Sequence, residues 1–317
     1  MASLAHHLSA LLPAQIKARL RPRWNTYRAK QRLCSELGGG YRFDETLRCD
    51  VASRQVEGVT LEVPVRSYRE LARFVHFGED PDDLVHRWLD MIDDCETLYD
   101  VGSATGLEGF FAAARHKCRV CFIEPYTPSV DALLKGIYLV GLRGGDTEAF
   151  EVFAAGCDRE PGYTKLYSHL PPAAGVTLNS FGAPDEYCRG GRQNEPIAVT
   201  QWVAGVSLDQ LHFELGQPTP THVKVDVDGF EGRVIEGARR IVESGQVRSF
   251  MIEINAGREQ EVAKPLTANG YVEIATFDHY PGKRDTWDSC YVRSDLADAM
   301  RARLRGALSA NSRIVFV

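Results

Sequence analysis

The ten residues from Leu98 to Leu107, L-Y-D-V-G-S-A-T-G-L, restrict the fold more than any other part of this chain. An apolar run leads into a glycine-rich turn and then an amphipathic stretch, so strand, tight turn and helix are expected in that order. Gly102 permits a tight turn and lets bare backbone approach a ligand, and Gly106 lets the chain enter the helix close to the strand. The helix N-terminus then points its free N–H groups at whatever binds there. Beyond Gly102 by 22 residues, a second apolar strand ends in Glu124, followed by Pro125. An acid at that place suits the two hydroxyls of a ribose.

A nicotinamide dinucleotide is one ligand to weigh, but its fingerprint is G-x-G-x-x-G. This turn reads D-V-G-S-A-T-G, without a G-x-G pair and with Asp100 just ahead of the first glycine. A carboxylate there repels a pyrophosphate and suits a ligand that carries a sulfonium and an ammonium.

From Thr97 onward short apolar runs alternate with amphipathic stretches, the pattern of a parallel sheet with crossover helices. Strands are expected at Thr97–Val101, Arg119–Glu124, Ala149–Ala154, His222–Val227, Ser249–Asn255, Tyr271–Thr276 and Cys290–Arg293. Helices are expected at Leu107–Arg115, Pro128–Val140, Gly232–Glu243 and Glu259–Asn269, with an earlier one around Asp82–Ile92. Residues 158–206 lack a clear helix and are too long for an ordinary connection, so they read as a functional insertion with hairpin character.

The net charge of −6 leaves no basic surplus for nucleic-acid phosphates, and no nucleic-acid partner is expected. The charge is uneven: Lys17, Arg19, Arg21, Arg23, Arg28, Lys30 and Arg32 lie within the first 35 residues, which contain no acid. Leu4, Leu8, Leu11, Ile16 and Leu20 recur near helical spacing, interrupted by Pro13 and Pro22. That pattern fits a helix on an anionic membrane surface, a helix packed on the domain, or a basic tail. No run approaches the roughly 20 apolar residues that span a bilayer, and no secretory signal is read. A cytoplasmic protein, peripheral at most to the inner membrane face, is expected. The eight cysteines read as reduced thiols. Cys118 and Cys121 are three apart on a strand, which sends them to opposite faces.

Asp100–Gly106, Glu124-Pro125 and above all V-K-V-D-V-D-G-F-E at Val223–Glu231 resemble the FkbM family of S-adenosylmethionine-dependent methyltransferases. The K-[IV]-D-[IV]-[DE]-G-x-E block, followed by a helix and Met251–Asn255, carries most of the likeness, and Val206–Asp209 is similar to the segment ahead of it. The resemblance runs over roughly residues 68–295, and residues 1–60 match nothing in it. It implies an α/β, Rossmann-like class I methyltransferase fold: a mostly parallel seven-stranded sheet with helices on both faces and an N-terminal extension. The chain then divides into a basic extension at 1–60 and a methyltransferase domain at 61–317 that contains the 158–206 insertion. The implied cofactor is S-adenosyl-L-methionine, bound by Asp100, Gly102, Ser103, Thr105, Gly106 and Glu124, with Asp158 accepting from the adenine amino group. The implied reaction is O-methylation of a glycan or secondary-metabolite hydroxyl. Two departures stand out. The family's G-A-N-x-G is G-S-A-T-G here, so Ser103 or Thr105 is expected to supply a hydroxyl in place of the asparagine. Asp228 stands where glutamate is frequent.

Ligands in open α/β sheets sit outside the carboxyl ends of the strands, where Asp226, Asp228, Glu253 and Asn255 are expected. An unpaired carboxylate in an apolar strand costs several kcal/mol, so Asp226 needs a partner. Lys224, two residues back on the same face, makes a purely structural pair one alternative. Asp226 is the candidate catalytic base, with His222 and Asn255 as weaker candidates for orienting the acceptor. Glu231 is expected to cap the next helix. A second mechanism makes Asp226, Glu253 and Asn255 oxygen ligands of a magnesium-like ion, although no motif demands a metal. His169 and His279 read as ordinary loop histidines. Tyr163, Tyr167, Phe181, Tyr187 and Trp202 offer the insertion either stacking faces for an acceptor or a small core of its own. A catalytically inactive cofactor-binding scaffold and a nicotinamide-dependent oxidoreductase are the rival function classes.

Overall fold

The computed structural model describes residues 14–80, 83–170, 172, 179–182, 196–279, 285–306, 308 and 312–317. Helix α1 (Ala14–Leu37) continues through Pro22, the second of the two expected interruptions. Strands β1 (Tyr41–Asp44), β2 (Cys49–Val56) and β3 (Val59–Val65) then form an antiparallel sheet of their own. Helix α2 (Tyr68–His76) starts at a capping box, in which the Ser67 hydroxyl accepts from the Glu70 N–H and the Glu70 carboxylate accepts from the Ser67 N–H. Asp83 caps α3 (Leu84–Leu89).

The alternating part follows as β4 (Thr97–Val101), α4 (Leu107–His116), β5 (Arg119–Ile123), α5 (Thr127–Leu142) and β6 (Phe150–Phe153). Strand β7 (Ala155–Cys157) comes just ahead of the insertion, which contributes β8 (Gly162–Ser168), β9 (Ser180–Phe181) and β10 (Val199–Val206). The chain closes with α6 (Leu208–Phe213), β11 (His222–Val225), α7 (Glu231–Glu236), α8 (Arg239–Ser244), β12 (Ser249–Asn255), α9 (Glu259–Ala268), β13 (Tyr271–Asp278), β14 (Thr286–Arg293), α10 (Ala297–Gly306) and β15 (Val315–Phe316).

The main sheet runs β15-β13-β14-β12-β11-β4-β5-β6. The strands from β12 to β6 are parallel, and β14 is antiparallel to both of its neighbours. It has eight strands rather than seven because the two-residue β15 pairs with β13 at the edge. Side chains alternate between the sheet's faces. Leu98, Val120, Phe122 and Met251 pack with α2, α3, α4, α5 and α10, whereas Tyr99, Cys121, Ile123 and Ile252 pack with α6 to α9. Cys118 and Cys121 fall into these two different cores, as their spacing requires.

The boundary expected after residue 60 falls inside β3, which packs on α4 and α5 and sends Leu61, Val63 and Val65 into the first core. The end of α1 joins the same core through buried Leu33. The helix expected over Gly232–Glu243 is two short ones that meet at Gly237, whose carbonyl accepts from the Asp209 N–H at 3.0 Å; a Cβ on Gly237 would lie 2.2 Å from the Asp158 carbonyl oxygen. The expected hairpin of the insertion is β8 against β10, flanked by β7 and β9 in a four-stranded sheet.

Candidate active site

The glycine turn joins β4 to α4 at the carboxyl edge of the sheet and opens onto a cleft. Gly102, Glu124 and Pro125 border one side, Asp226 and Asp228 another, and the insertion contributes Leu166 and Phe181. Gly102 has φ +76°, and a Cβ there would lie 1.9 Å from the Asp226 carbonyl oxygen. Glycine is required here by the neighbouring chain as well as by a ligand. Gly106, with φ +73°, has room for no Cβ either, since the Leu133 side chain lies 2.5 Å from that position. The Ser103 hydroxyl donates to the Asp100 carbonyl at 2.6 Å and accepts from the Ile123 N–H at 3.1 Å, which latches β4 to β5. That hydroxyl is buried and committed to backbone, so Thr105, half-buried in the same turn, is the better placed of the two for a ligand.

Glu124 accepts from the Ala104 N–H through Oε2 and from the Tyr126 N–H through Oε1, each at 2.8 Å. Each oxygen keeps further acceptor capacity for a ribose hydroxyl. Burial pushes this carboxyl up to about 7, against the two N–H donors, which pull it down. Asp100 is fully buried, and neither of its oxygens accepts a hydrogen bond. Burial pushes it up to about 6, with the Lys224 ammonium working in the opposite direction. Lys224 Nζ lies 3.6 Å from Asp100 Oδ1 and 3.6 Å from Asp226 Oδ2. The Lys224–Asp226 pair weighed from the sequence therefore exists, with Asp100 as its third member. Asp226 remains half-exposed beside the cleft.

Glu231 holds the turn that carries Asp226 and Asp228. Its Oε1 accepts from the Gly229 N–H at 2.9 Å and the Val227 N–H at 3.3 Å, and its Oε2 accepts from the Asn255 amide at 2.9 Å. Asn255 is thus tied to Glu231 and not turned to an acceptor or to Asp226. Among the described residues no cluster of three or more His, Cys, Asp or Glu side chains is arranged to hold a metal ion.

Three further expectations need correction. Asp158 faces Arg233, whose Nε and Nη2 donate to it at 2.7 and 2.5 Å, so its carboxylate is already engaged and lies outside the cleft lining. His222 begins β11, at the far end from the turn, with Nδ1 2.7 Å from Ser249 Oγ and Nε2 2.8 Å from Glu96 Oε2. Burial pulls its pKa down, and it braces the core. His279 is no ordinary loop histidine: its Nε2 lies 3.4 Å from Asp288 Oδ1, close to Glu253. The sequence signal for it was faint, since only strand register brings the three together. Of the insertion's aromatics, Phe181 packs with Tyr126, Leu166 and Phe230 beside the cleft. Tyr163 and Trp202 are exposed on the sheet's other face, 82% and 66% accessible. Tyr187 lies outside the described residues.

The strand order, with five parallel strands and a reversed strand set between β12 and β13, matches the architecture that the sequence resemblance implied. This is a Rossmann-like methyltransferase fold. No family model matches the chain. It is 26% identical over 219 residues to the hexuronic acid methyltransferase AglP of Haloferax volcanii, a match covering 67% of this chain and 78% of that protein. Among solved structures it is similar to the methyltransferase FkbM from Methylobacillus flagellatus, with 15% identity and a TM-score of 0.42. That match covers 88% of this chain, which spans only 60% of the other. M. capricolum TrmK in complex with S-adenosyl-homocysteine is similar at 10% identity and a TM-score of 0.37, over 67% of this chain and 68% of that one.

Proposed function

We propose that this chain is an S-adenosylmethionine-dependent O-methyltransferase acting on a hydroxyl of a glycan or a related small molecule. The observation that carries the reading is Asp100, fully buried under the glycine turn with two oxygens that accept no hydrogen bond. A carboxylate left so is costly unless a cation completes it. Lys224 completes it only in part, at 3.6 Å. A positively charged ligand fits this requirement and a pyrophosphate does not, which sets the nicotinamide rival aside. The cofactor supplies a methyl group on a positively charged sulfur, so no acid is needed for the leaving group.

The chain's own residues hold and align the reactants. Glu124 has acceptor capacity for ribose hydroxyls, Asp100 balances positive charge, and Asp226 accepts the hydrogen bond of the acceptor's hydroxyl at the open side of the cleft. Alignment of the two reacting groups supplies on the order of 7–11 kcal/mol. A glycan acceptor is favoured by the hexuronic acid methyltransferase that the chain is similar to.

The test is a panel of hydroxylated acceptors with methyl-labelled cofactor, read by product mass, with Asp226→Asn in parallel. The variant should bind cofactor normally and lose about a hundredfold or more in turnover. Wild-type protein that binds no S-adenosylmethionine would refute the reading, and full turnover by Asp226→Asn would remove Asp226 from the reacting centre.

A further inference from the structure

Beyond Asp226 the carboxyl edge continues in side chains that the chemistry above leaves unused. Val225 pairs with Ile252, which brings Asp226 level with Glu253, and Glu253 pairs directly with Asp288. Asp288 also pairs with Phe277, two residues before His279. Residues two apart on an extended strand share a face. Three carboxylates and one imidazole therefore stand in a row across the ends of four strands, starting at the cleft.

The imidazole is held at one end and open at the other. Its Nε2 lies 3.4 Å from Asp288 Oδ1 and 3.9 Å from Glu253 Oε1, and its side chain is 34% exposed. Asp288 is buried, at 5% exposure. A buried carboxylate behind a ring nitrogen fixes which nitrogen carries the hydrogen and leaves the second to act on a ligand.

We propose that His279, oriented by Asp288, takes the proton from the acceptor's hydroxyl, while Asp226 only accepts its hydrogen bond. This rests on the methyl-transfer reading above. The O–H bond breaks, and its proton goes to the ring nitrogen that Asp288 does not hold. The oxygen's electron pair forms the bond to the methyl carbon, and the carbon–sulfur electrons stay with the departing neutral thioether. Asp226 is the poorer candidate because Lys224 already pairs with it.

The groups facing the ring are Asp288 from β14, Glu253 from β12, Asp226 from the end of β11 and Asp83 from the cap of α3. Arg313 lies 4.5 Å over the adjacent Phe277 ring. The neighbouring Asp288 carboxylate first, and then the charge of Asp226 and Asp83, hold His279 up to about 9 against burial. Burial first, and then the nearby Asp226, Glu231, Asp288 and Asp228, push Glu253 up to about 10. The neutral, proton-accepting ring therefore fills as pH rises toward 9, and the rate should climb with it.

The experiment joins an NMR titration of the histidines, in protein without substrates, to pH–rate profiles and cofactor-binding calorimetry. The wild-type His279 ring should titrate near 9, and the rate should rise about tenfold per pH unit up to the same midpoint. Asp288→Asn should move both midpoints down together with cofactor affinity unchanged. His279→Gln should lose about a hundredfold in turnover and flatten the profile, and Asp226→Asn should keep the rise. A wild-type His279 midpoint at the ordinary histidine value, or wild-type turnover in His279→Gln, with cofactor binding intact, overturns this inference alone. Failure of the wild type to bind S-adenosylmethionine overturns the methyl-transfer reading and this inference with it.

Discussion

Cofactor affinity should rise with pH up through the neutral range, because burial raises two carboxyls at the glycine turn. Glu124 is pushed up to about 7 and Asp100 up to about 6. Ribose hydroxyls donated to Glu124, and a positive charge set against Asp100, both favour the ionised forms. Binding therefore releases protons, and affinity falls about tenfold per pH unit below each group's own value. Between pH 8 and about 5.5, Glu124 should contribute about 30-fold and Asp100 about 4-fold, together about a hundredfold or ~2.8 kcal/mol. Calorimetry in two buffers of different ionisation enthalpy counts the released protons directly. Glu124→Gln keeps the side chain's size, sets its NH2 against one of the two backbone N–H donors and removes its titration, so affinity should be lower throughout and only the weaker dependence below about 6 should remain. An affinity that is flat from about pH 5.5 to 8 in the wild type would refute the assignment of both carboxyls.

Without ligand the sign reverses. A carboxyl whose folded value lies above its unfolded one binds more protons when folded. The stabilisation is complete below the unfolded value and is lost as pH rises through the folded one. For Glu124 this window runs from 4.5 to about 7, and for Asp100 from 3.8 to about 6. The cost is about 3 kcal/mol for each group. Melting of the ligand-free protein should accordingly fall across that window, and the shift produced by cofactor should widen.

Gly102→Ala should destabilise the protein severely, since its Cβ would meet the Asp226 carbonyl oxygen at 1.9 Å in a backbone that already has positive φ; a melting temperature equal to wild type would contradict this. We also propose that the basic stretch of α1 meets an anionic membrane surface, so replacing Lys17, Arg19, Arg21 and Arg23 by glutamine should abolish sedimentation with anionic vesicles. Unchanged sedimentation sinks that idea.

Much of the sheet was legible because its signals are local. Ser249–Asn255 forms the strand expected of it to the residue, and β4 does likewise. Both are short apolar runs bounded by polar or turn residues, and their periodicity is a property of neighbours in sequence. Errors collect where a distant backbone intrudes. Strand β11, expected to run on to Val227, stops at Val225 because Glu231 gathers the N–H groups of Val227 and Gly229 into a turn. Strands β1 and β2 fell within the expected extension because what joins them to the first core is distant in sequence: they pair through β3, and β3 packs on α4 and α5.

The site divides along the same line. Gly102, Glu124 and Asp226 were found from one glycine turn, one strand-terminal acid and one sequence block, and they do border one cleft. What composition and spacing could not supply was competition for each side chain. Ser103 is spent on the backbone of Asp100 and Ile123, Asp158 on Arg233 and Asn255 on Glu231, and of these partners all but Asp100 lie 20 or more residues away along the chain. His279 is the converse case. Its loop context argued for an exposed and idle ring, yet the pairing of β12 with β14, and of β14 with β13, places it against Asp288. A one-residue slip in either pairing would turn that whole row of side chains to the other face. The acid–base character of this edge is thus a consequence of register, settled only when strands distant in sequence are laid side by side.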